Sequence, residues 1–456
     1  MLERIFRLRE RQARVSTEVL GGVTTFVTMA YIVVVNPAIL SVAGIPTGPS
    51  TIATILTAVF GSLLMGLYAN RPIAVAPYMC ENAFIAFTLP ALGVTWQQSL
   101  GAVFVSGAVF LVITVLRLRS WLANSISLSM KHSFGAGIGL FLAFIGLYKT
   151  GIVTSSVAGM RPEALLLPTG ALAAPGAPLR IGDLHDPQVI LAVLGFLAIG
   201  LLLHHRVRGA LLVGMAVTAL AGWLLGVGQA PRALVAWPFG AEPGWGAVAL
   251  RLDIASVLRF SFFPVLLTLF LMSFLDTLGT LLAVGAAGGM LDEKGNFRQV
   301  ERPMLVDALS CMFAGLAGTS TSGAYIESAT GIREGARTGL AAVVTAALFA
   351  AALFFIPLVE PLQNLAYAYG PALIAVGALM LGSLARIDFE DWTETIPAFA
   401  TVAMMVFTYN IANGLTAGLL LHPLMKLGAG RFRELRPGGL VLAGLCLTYY
   451  VFGLPH

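Results

Sequence analysis

The sequence predicts an all-α polytopic membrane protein of 14 transmembrane spans, arranged as 7+7 inverted repeats. Three observations carry that prediction. Hydrophobic residues make up 58% of the chain and charged ones only 11%, with a mean hydropathy of +0.88. A soluble domain carries roughly 25% charged residues, so this composition belongs in lipid. Fourteen apolar runs approach the ~20 residues needed to cross a bilayer. The third run of each set of seven is short and irregular where its neighbours are continuous.

In order, residues 1–17 are a basic segment expected on the cytoplasmic side. Runs at 18–41, 51–69, 73–92, 98–116, 133–152, 187–204 and 209–226 form the first set. A loop over 227–257, expected outside, separates them from the second set at 258–286, 303–318, 320–332, 338–358, 369–385, 395–410 and 411–427. Residues 428–456 are a basic tail whose apolar stretch, 438–454, either lies in the interface or crosses. With a cytoplasmic N-terminus most of the 27 Lys and Arg fall inside, from Arg4, Arg7, Arg9, Arg11 and Arg14 to Arg431, Arg433 and Arg436. Those between the ends include Arg117, Arg119, Lys294 and Arg298. Positive residues favour the cytoplasmic side, so the bias supports this count and this orientation, and the cell inner (plasma) membrane is the expected location. The basic residues are scattered through short loops, which gives nucleic acid no continuous patch to bind. Cys80, Cys311 and Cys446 lie in apolar stretches without disulfide or metal spacing and are expected as small core residues. No cleavable leader and no cofactor are expected.

An odd number of spans per set inverts the second copy relative to the first. The two irregular runs, "RPIAVAPYMCENAFIAF" and "GTSTSGAYIESATGI", then occupy corresponding places. Paired broken helices of this kind mark the midplane substrate site of secondary transporters. Non-helical backbone survives at that depth only where protein or a wet cavity satisfies its amides.

Four acids fall within or close to the apolar runs: Glu81, Asp276, Asp307 and Glu327. Acids at membrane depth are costly and tend to be functional. Asp307, near an end of its run, is expected at the interface or as a helix cap. Asp276 lies mid-run, where it either bonds nearby hydroxyls or serves a site. Glu327 either caps the helical half of its broken run or faces a ligand. Carboxylates without basic partners disfavour an anion carrier and suit protons, a cation or a solute rich in N–H donors.

Long motifs now bear on identity. "RLRERQARVSTEVLGGVTTFVTMAYIVVVNPAIL", "LDTLGTLLAVGAAGGMLDEKG", "GTSTSGAYIESATGIREGARTGL" and "ALMLGSLARIDFEDWTETIPAF" resemble signatures of the AzgA-like purine permeases, across about residues 5–427. The resemblance implies a uracil-permease-like fold with a core domain (18–116 and 258–358) and a gate domain (117–226 and 359–427). It implies proton symport of adenine, guanine or hypoxanthine by an elevator-like movement, and a homodimer through the gate domains. It assigns the substrate acids to Asp276 and Glu327 and the span 3 asparagine to Asn82. Thr277, Tyr325 and Phe84 join the candidate substrate contacts, the last two as rings for stacking on a base, and Asp276, Glu327 and Glu81 are the candidates for proton coupling. A purine edge offers N–H donors that carboxylates accept, and an Asn reads a mixed edge.

Two positions depart from the family. Where relatives commonly read Gly-Met-Gly-Leu-Asn, this chain has Tyr78, Met79, Cys80, Glu81 and Asn82, and Ser273 stands where many carry a second Asp. Glu81 either replaces that missing acid or caps its helix. The alternatives are a permease for xanthine, uracil or another N–H-rich or cationic solute, a passive channel, and an integral-membrane enzyme. No nucleophile–base constellation supports the last, so no enzymatic activity is expected.

Overall fold

The computed structural model describes residues 2–116, 125–158, 178–231, 233–239, 244–291, 297 and 299–452, with side chains described to Leu447. Arg117, Arg119, Lys294 and Arg298, invoked above for orientation, lie outside these residues. In chain order the helices are α1 (Leu2–Phe6), α2 (Val15–Met29), α3 (Ile32–Leu40), α4 (Thr47–Leu67), α5 (Met79–Ala83), α6 (Leu89–Ala91), α7 (Trp96–Val115), α8 (Leu128–Lys149), α9 (Pro187–His204) and α10 (Ala210–Leu224). They continue as α11 (Ile254–Val257), α12 (Phe263–Gly288), α13 (Glu301–Ala317), α14 (Ser328–Arg333), α15 (Gly339–Ala352), α16 (Ile356–Gln363), α17 (Ala366–Met380), α18 (Trp392–Phe407), α19 (Ile411–Gly428) and α20 (Pro437–Phe452). Four short strands are β1 (Val75–Pro77), β2 (Val153–Ser155), β3 (Leu179–Ile181) and β4 (Ser322–Ala324).

Among the described residues, 8 helical stretches are long and apolar enough to cross a membrane, so the chain is a multi-pass membrane protein. Of the remaining runs, two are the shorter apolar helices α10 and α18, two are the broken segments, and two are the helices α13 and α19, which fall short on composition. Length and composition together therefore mark eight crossings among the described residues. The apolar tail is helical and packs on α19 and α12. Lipid-facing surfaces are legible in the spacing: Ile190, Leu194, Leu197 and Leu201 recur every three or four residues on one face of α9 and are all exposed.

The run at 18–41 is not one helix. It divides at Ala30–Tyr31 into α2 and α3, and α3 holds Pro37 internally. Proline lacks the N–H that would bond the carbonyl four residues back, here that of Val33. Gln363 of α16 supplies the missing donor, its Nε2 lying 3.1 Å from the Val33 carbonyl oxygen.

Elsewhere helices meet through small residues. A Cβ added to Gly139 of α8 would sit 2.9 Å from the Gly377 carbonyl oxygen of α17, and one on Gly146 would sit 2.9 Å from that of Gly370. With no hydrophobic drive between helices in lipid, such close backbone approach is a main source of association.

Two non-helical segments meet at the centre. β1 and β4 pair antiparallel, Val75 opposite Ala324, Ala76 opposite Gly323 and Pro77 opposite Ser322, with every residue buried. Sequence explains why neither segment is helical. Pro72 and Pro77 restrict the first, since each lacks an N–H and biases the preceding residue toward extended backbone. In the second, α13 ends on Gly318 at φ +98°, and the Thr-Ser-Thr-Ser-Gly run that follows favours extended backbone. The pairing satisfies amides that lipid could not.

Candidate substrate site

The site begins where the two strands hand over to helices. After β1 the chain turns at Tyr78 into α5, whose residues Met79 to Ala83 are all buried. Five residues of π-helix, Phe84–Thr88, follow before α6. Pro90 lies just beyond, and its ring excludes ordinary i−4 bonding to Ala86, which accounts for the widened turn. After β4, Tyr325 leads through Glu327 into α14. The Tyr78 N–H donates to the Thr321 carbonyl at 2.8 Å, and the Tyr325 N–H donates to that of Ala74 at 2.9 Å. The two tyrosine rings lie nearly parallel, with centroids 6.4 Å apart and planes 7° from parallel.

Asp307 holds this arrangement together. Expected at the interface or as a cap, it is instead fully buried two turns into α13. Its Oδ2 accepts from the Ala324 N–H at 3.0 Å and from the Thr277 hydroxyl at 2.9 Å. The Tyr78 hydroxyl in turn lies 2.9 Å from Thr277 Oγ1. One relay, Tyr78 to Thr277 to Asp307, thereby ties α5, α12 and α13 to β4. Its linear position near the edge of an apolar run had concealed the depth, because the helix begins earlier, at Glu301.

The other acids are placed differently. Glu327 stands at the N-cap of α14, yet its side chain makes no capping bond. It accepts instead from the Tyr31 hydroxyl at 2.9 Å, across the break between α2 and α3. Tyr31 was not anticipated, since a Tyr in an apolar run carries no signal of its own. Asp276 lies mid-way along α12 and keeps partial exposure, as does Glu327. Glu81 is fully buried, and neither of its carboxylate oxygens has a hydrogen-bond partner. Its helix α5 follows the N-cap residue Tyr78, whose own side chain makes no capping bond. Acceptor atoms of Cys80, Glu81 and Asp276 all lie within 4.8 Å of one another, so Cys80 is part of a polar cluster as well as the core. These residues could hold a cation. None of the four acids takes part in an ion pair among the described residues.

Asn82 is also fully buried, its Nδ2 3.4 Å from the Asn36 carbonyl oxygen and its Oδ1 without a partner. Asn36 is spoken for: its amide donates to Thr54 at 2.7 Å and Thr319 at 2.8 Å, and accepts from Ser320 at 3.1 Å. Of the remaining candidates, Thr277 is fully buried with its hydroxyl committed to Asp307, and Phe84 is buried in the core. Tyr325 is buried with its hydroxyl donated to the Pro77 carbonyl at 2.5 Å. The structure thus gathers Glu81, Asn82, Asp276, Glu327 and both tyrosines around the strand ends, and sets Thr277 behind them. A surface hollow of about 380 Å³, lined in part by Arg11, Arg71 and Arg337, lies away from these acids.

The Permease family matches residues 16–416. Adenine permease AdeP of Escherichia coli (strain K12) is 39% identical over 99% of this chain and 96% of its own length. Guanine/hypoxanthine permease PbuO of Bacillus subtilis (strain 168) is 35% identical over 96% of this chain and 98% of its own. Among solved structures, the transmembrane domain of the cyanobacterium bicarbonate transporter BicA superposes with a TM-score of 0.62 at 16% identity, covering 88% of this chain and 97% of that one. SLC26A9 superposes with a TM-score of 0.64 at 12% identity, covering 95% of this chain and 68% of that one. At such low identity these structures share the fold alone.

Proposed function

This chain belongs to the Permease family, a membrane transporter rather than an enzyme, and from that premise we propose that it takes up purine nucleobases in symport with protons. The observation that carries the reading is the convergence of Asp276, Glu327 and Asn82 on the paired ends of β1 and β4. Adenine, guanine and hypoxanthine present ring N–H or amine donors, and the partly exposed carboxylates of Asp276 and Glu327 are acceptors with no cation to neutralise them. Asn82, with its Oδ1 unpartnered, suits a mixed edge. The adenine and guanine/hypoxanthine permeases at 39% and 35% identity support the same class of solute.

In this reading the chain crosses the membrane fourteen times from a cytoplasmic N-terminus, as two inverted sets of seven in the cell's inner membrane. Residues 18–116 and 258–358 form a core that carries the base. It moves in elevator fashion against a gate made by 117–226 and 359–427, and two gates meet in a homodimer. Protons are the driving ion, and no cofactor is needed.

Radiolabelled adenine uptake into cells lacking their own purine carriers tests the central claim. Guanine and hypoxanthine should compete, and a protonophore should collapse accumulation. Absence of competition by any purine would overturn it. A second reading, a carrier of another N–H-rich or cationic solute, is favoured by the buried Glu81 and would appear as uptake that only a non-purine blocks.

A further inference from the structure

Glu81 is the buried acid that the substrate reading leaves unused. It lies in the first turn of α5 beside Cys80, close to Asp276 of mid-α12. One ligand atom from each, the Cys80 Sγ and a carboxylate oxygen of Glu81 and of Asp276, lies within 4.8 Å of the other two. Exposed acids often cluster without holding an ion, but Cys80 and Glu81 are buried. Neither oxygen of Glu81 has a hydrogen-bond partner. Ser273, one turn before Asp276 on α12, stands beside the Glu81 carboxylate with its hydroxyl buried and likewise without a hydrogen bond. An uncompensated carboxylate is costly at this depth, and a second one beside it adds repulsion. Neither Glu81 nor Asp276 takes part in an ion pair among the described residues. A positive ion would supply what the protein does not.

The donor set decides which ion. Ca²⁺ and Mg²⁺ are hard ions that bind through oxygen, and a soft ion such as Cu⁺ would leave the carboxylates unused. One thiolate with two carboxylates suits Zn²⁺ or a similar divalent transition ion, which takes sulfur and oxygen together and can keep a fourth position open. Zn²⁺ holds sulfur at about 2.3 Å and oxygen at about 2.0–2.2 Å, which sets tetrahedral ligands roughly 3.3–3.7 Å apart. The Glu81 carboxylate, tied to no donor, can close that distance. We infer that Cys80, Glu81 and Asp276 form a binding site for a divalent transition ion of zinc chemistry. Asp276, alone of the three, keeps partial exposure and gives the ion its way in. Cys80 binds as thiolate, so loading expels the thiol proton to water. The ion occupies the Asp276 carboxylate that the purine reading assigns to a base N–H, so ion and base compete. That competition rests on the purine reading, whereas the binding of the ion does not.

Purified full-length protein, stripped with chelator and titrated with Co²⁺ as a coloured stand-in for Zn²⁺, tests the site. A sulfur-to-cobalt charge-transfer band should appear with the strong visible bands of tetrahedral cobalt, and Zn²⁺ should erase both. Cys80→Ser should lose the charge-transfer band, and Cys446→Ser should keep it. Glu81→Gln should weaken binding by more than the roughly 10–100-fold lost with an outer-shell partner. Should a variant fail to fold, X-ray absorption of zinc-loaded wild type should still show sulfur and oxygen neighbours together. No cobalt spectrum, the same spectrum in Cys80→Ser, or zinc without a sulfur neighbour would each overturn the site. In proteoliposomes Zn²⁺ should raise the KM for adenine without lowering the maximal rate, and an unchanged KM would overturn the competition. Wild type that transports no purine would end the purine reading and leave the spectral result standing.

Discussion

At the scale of single residues, the four buried or half-buried acids divide by what they touch. Asp307 is a tie: removing its carboxylate strands the Ala324 N–H and the Thr277 hydroxyl, each costing about 1–3 kcal/mol when buried unsatisfied. Asp307→Ala should therefore lower the detergent melting temperature clearly, and Asp307→Asn, which keeps an acceptor, should do so less. An unchanged melt for Asp307→Ala would refute the role. Asp276 and Glu327 should behave oppositely. Asp276→Asn and Glu327→Gln are expected to abolish concentrative uptake while melting like wild type, because neither holds strands together. Normal transport by either variant would remove it from the site. Asp276 and Glu327 stood out in the sequence because acids inside apolar runs are expensive, whereas Asn82 entered the candidate site through the family resemblance. Asp307 was misplaced because a run boundary is not a helix boundary, and Tyr31 was missed because its role lies in one hydroxyl.

Helices and strands tell a similar story one level up. Long apolar runs gave their helices directly, since length and composition are what define them. The division of 18–41 into α2 and α3 was not legible, since its features are tertiary: Tyr31 at the division reaches Glu327, and a glutamine from α16 bonds the Val33 carbonyl left without a donor by Pro37. The extended character of the two irregular runs was expected, but their register had to come from the structure. Gly323 illustrates what fixes it. A Cβ there would come within 2.6 Å of Cζ in the Tyr78 ring, so Gly323→Ala should displace Tyr78 and impair uptake. An unimpaired Gly323→Ala carrier would show the ring has room to move. Along α8 and α17, Gly139→Leu should cost about 1–3 kcal/mol by overpacking against Gly377 and Met380. Thermal unfolding of the purified protein measures it, and a melt equal to wild type would mean the helices separate freely.

For the whole molecule, the likeness in fold to BicA and SLC26A9 sets the architecture, while the site chemistry belongs to this chain. An ionic knot closes one end of α18 and α19. Lys426, its side chain 4% exposed, lies 3.3 Å from Asp391, 3.0 Å from Glu394 and 2.9 Å from Glu434. Arg431 bonds Asp391 and Glu434 from outside. Hydrogen bonds from Thr393, then from Arg431 and Lys426, hold the Asp391 carboxyl well below the usual carboxylate range. Lys426 and Arg431 likewise lower Glu434. A carboxylate whose folded pKa is depressed stabilises above its ordinary range and loses that contribution as pH falls through the folded value. The melting temperature should therefore fall on acidification below the ordinary carboxylate range, and less steeply in Asp391→Asn. Equal pH slopes in the two proteins would contradict this.

The paired strands carry one more consequence, and it concerns time rather than space. Tyr325 and the Pro77 carbonyl it bonds are 248 positions apart in the chain. A ribosome emits the first strand long before its partner exists, so the nascent protein enters the bilayer with the Tyr78 N–H and the Ala74 carbonyl still lacking the partners they later find at Thr321 and Tyr325. The candidate site is therefore among the last parts of the molecule to form during biogenesis. A translation product halted before Ser322 would hold many finished helices around an unfinished centre, a natural target for quality control in the membrane.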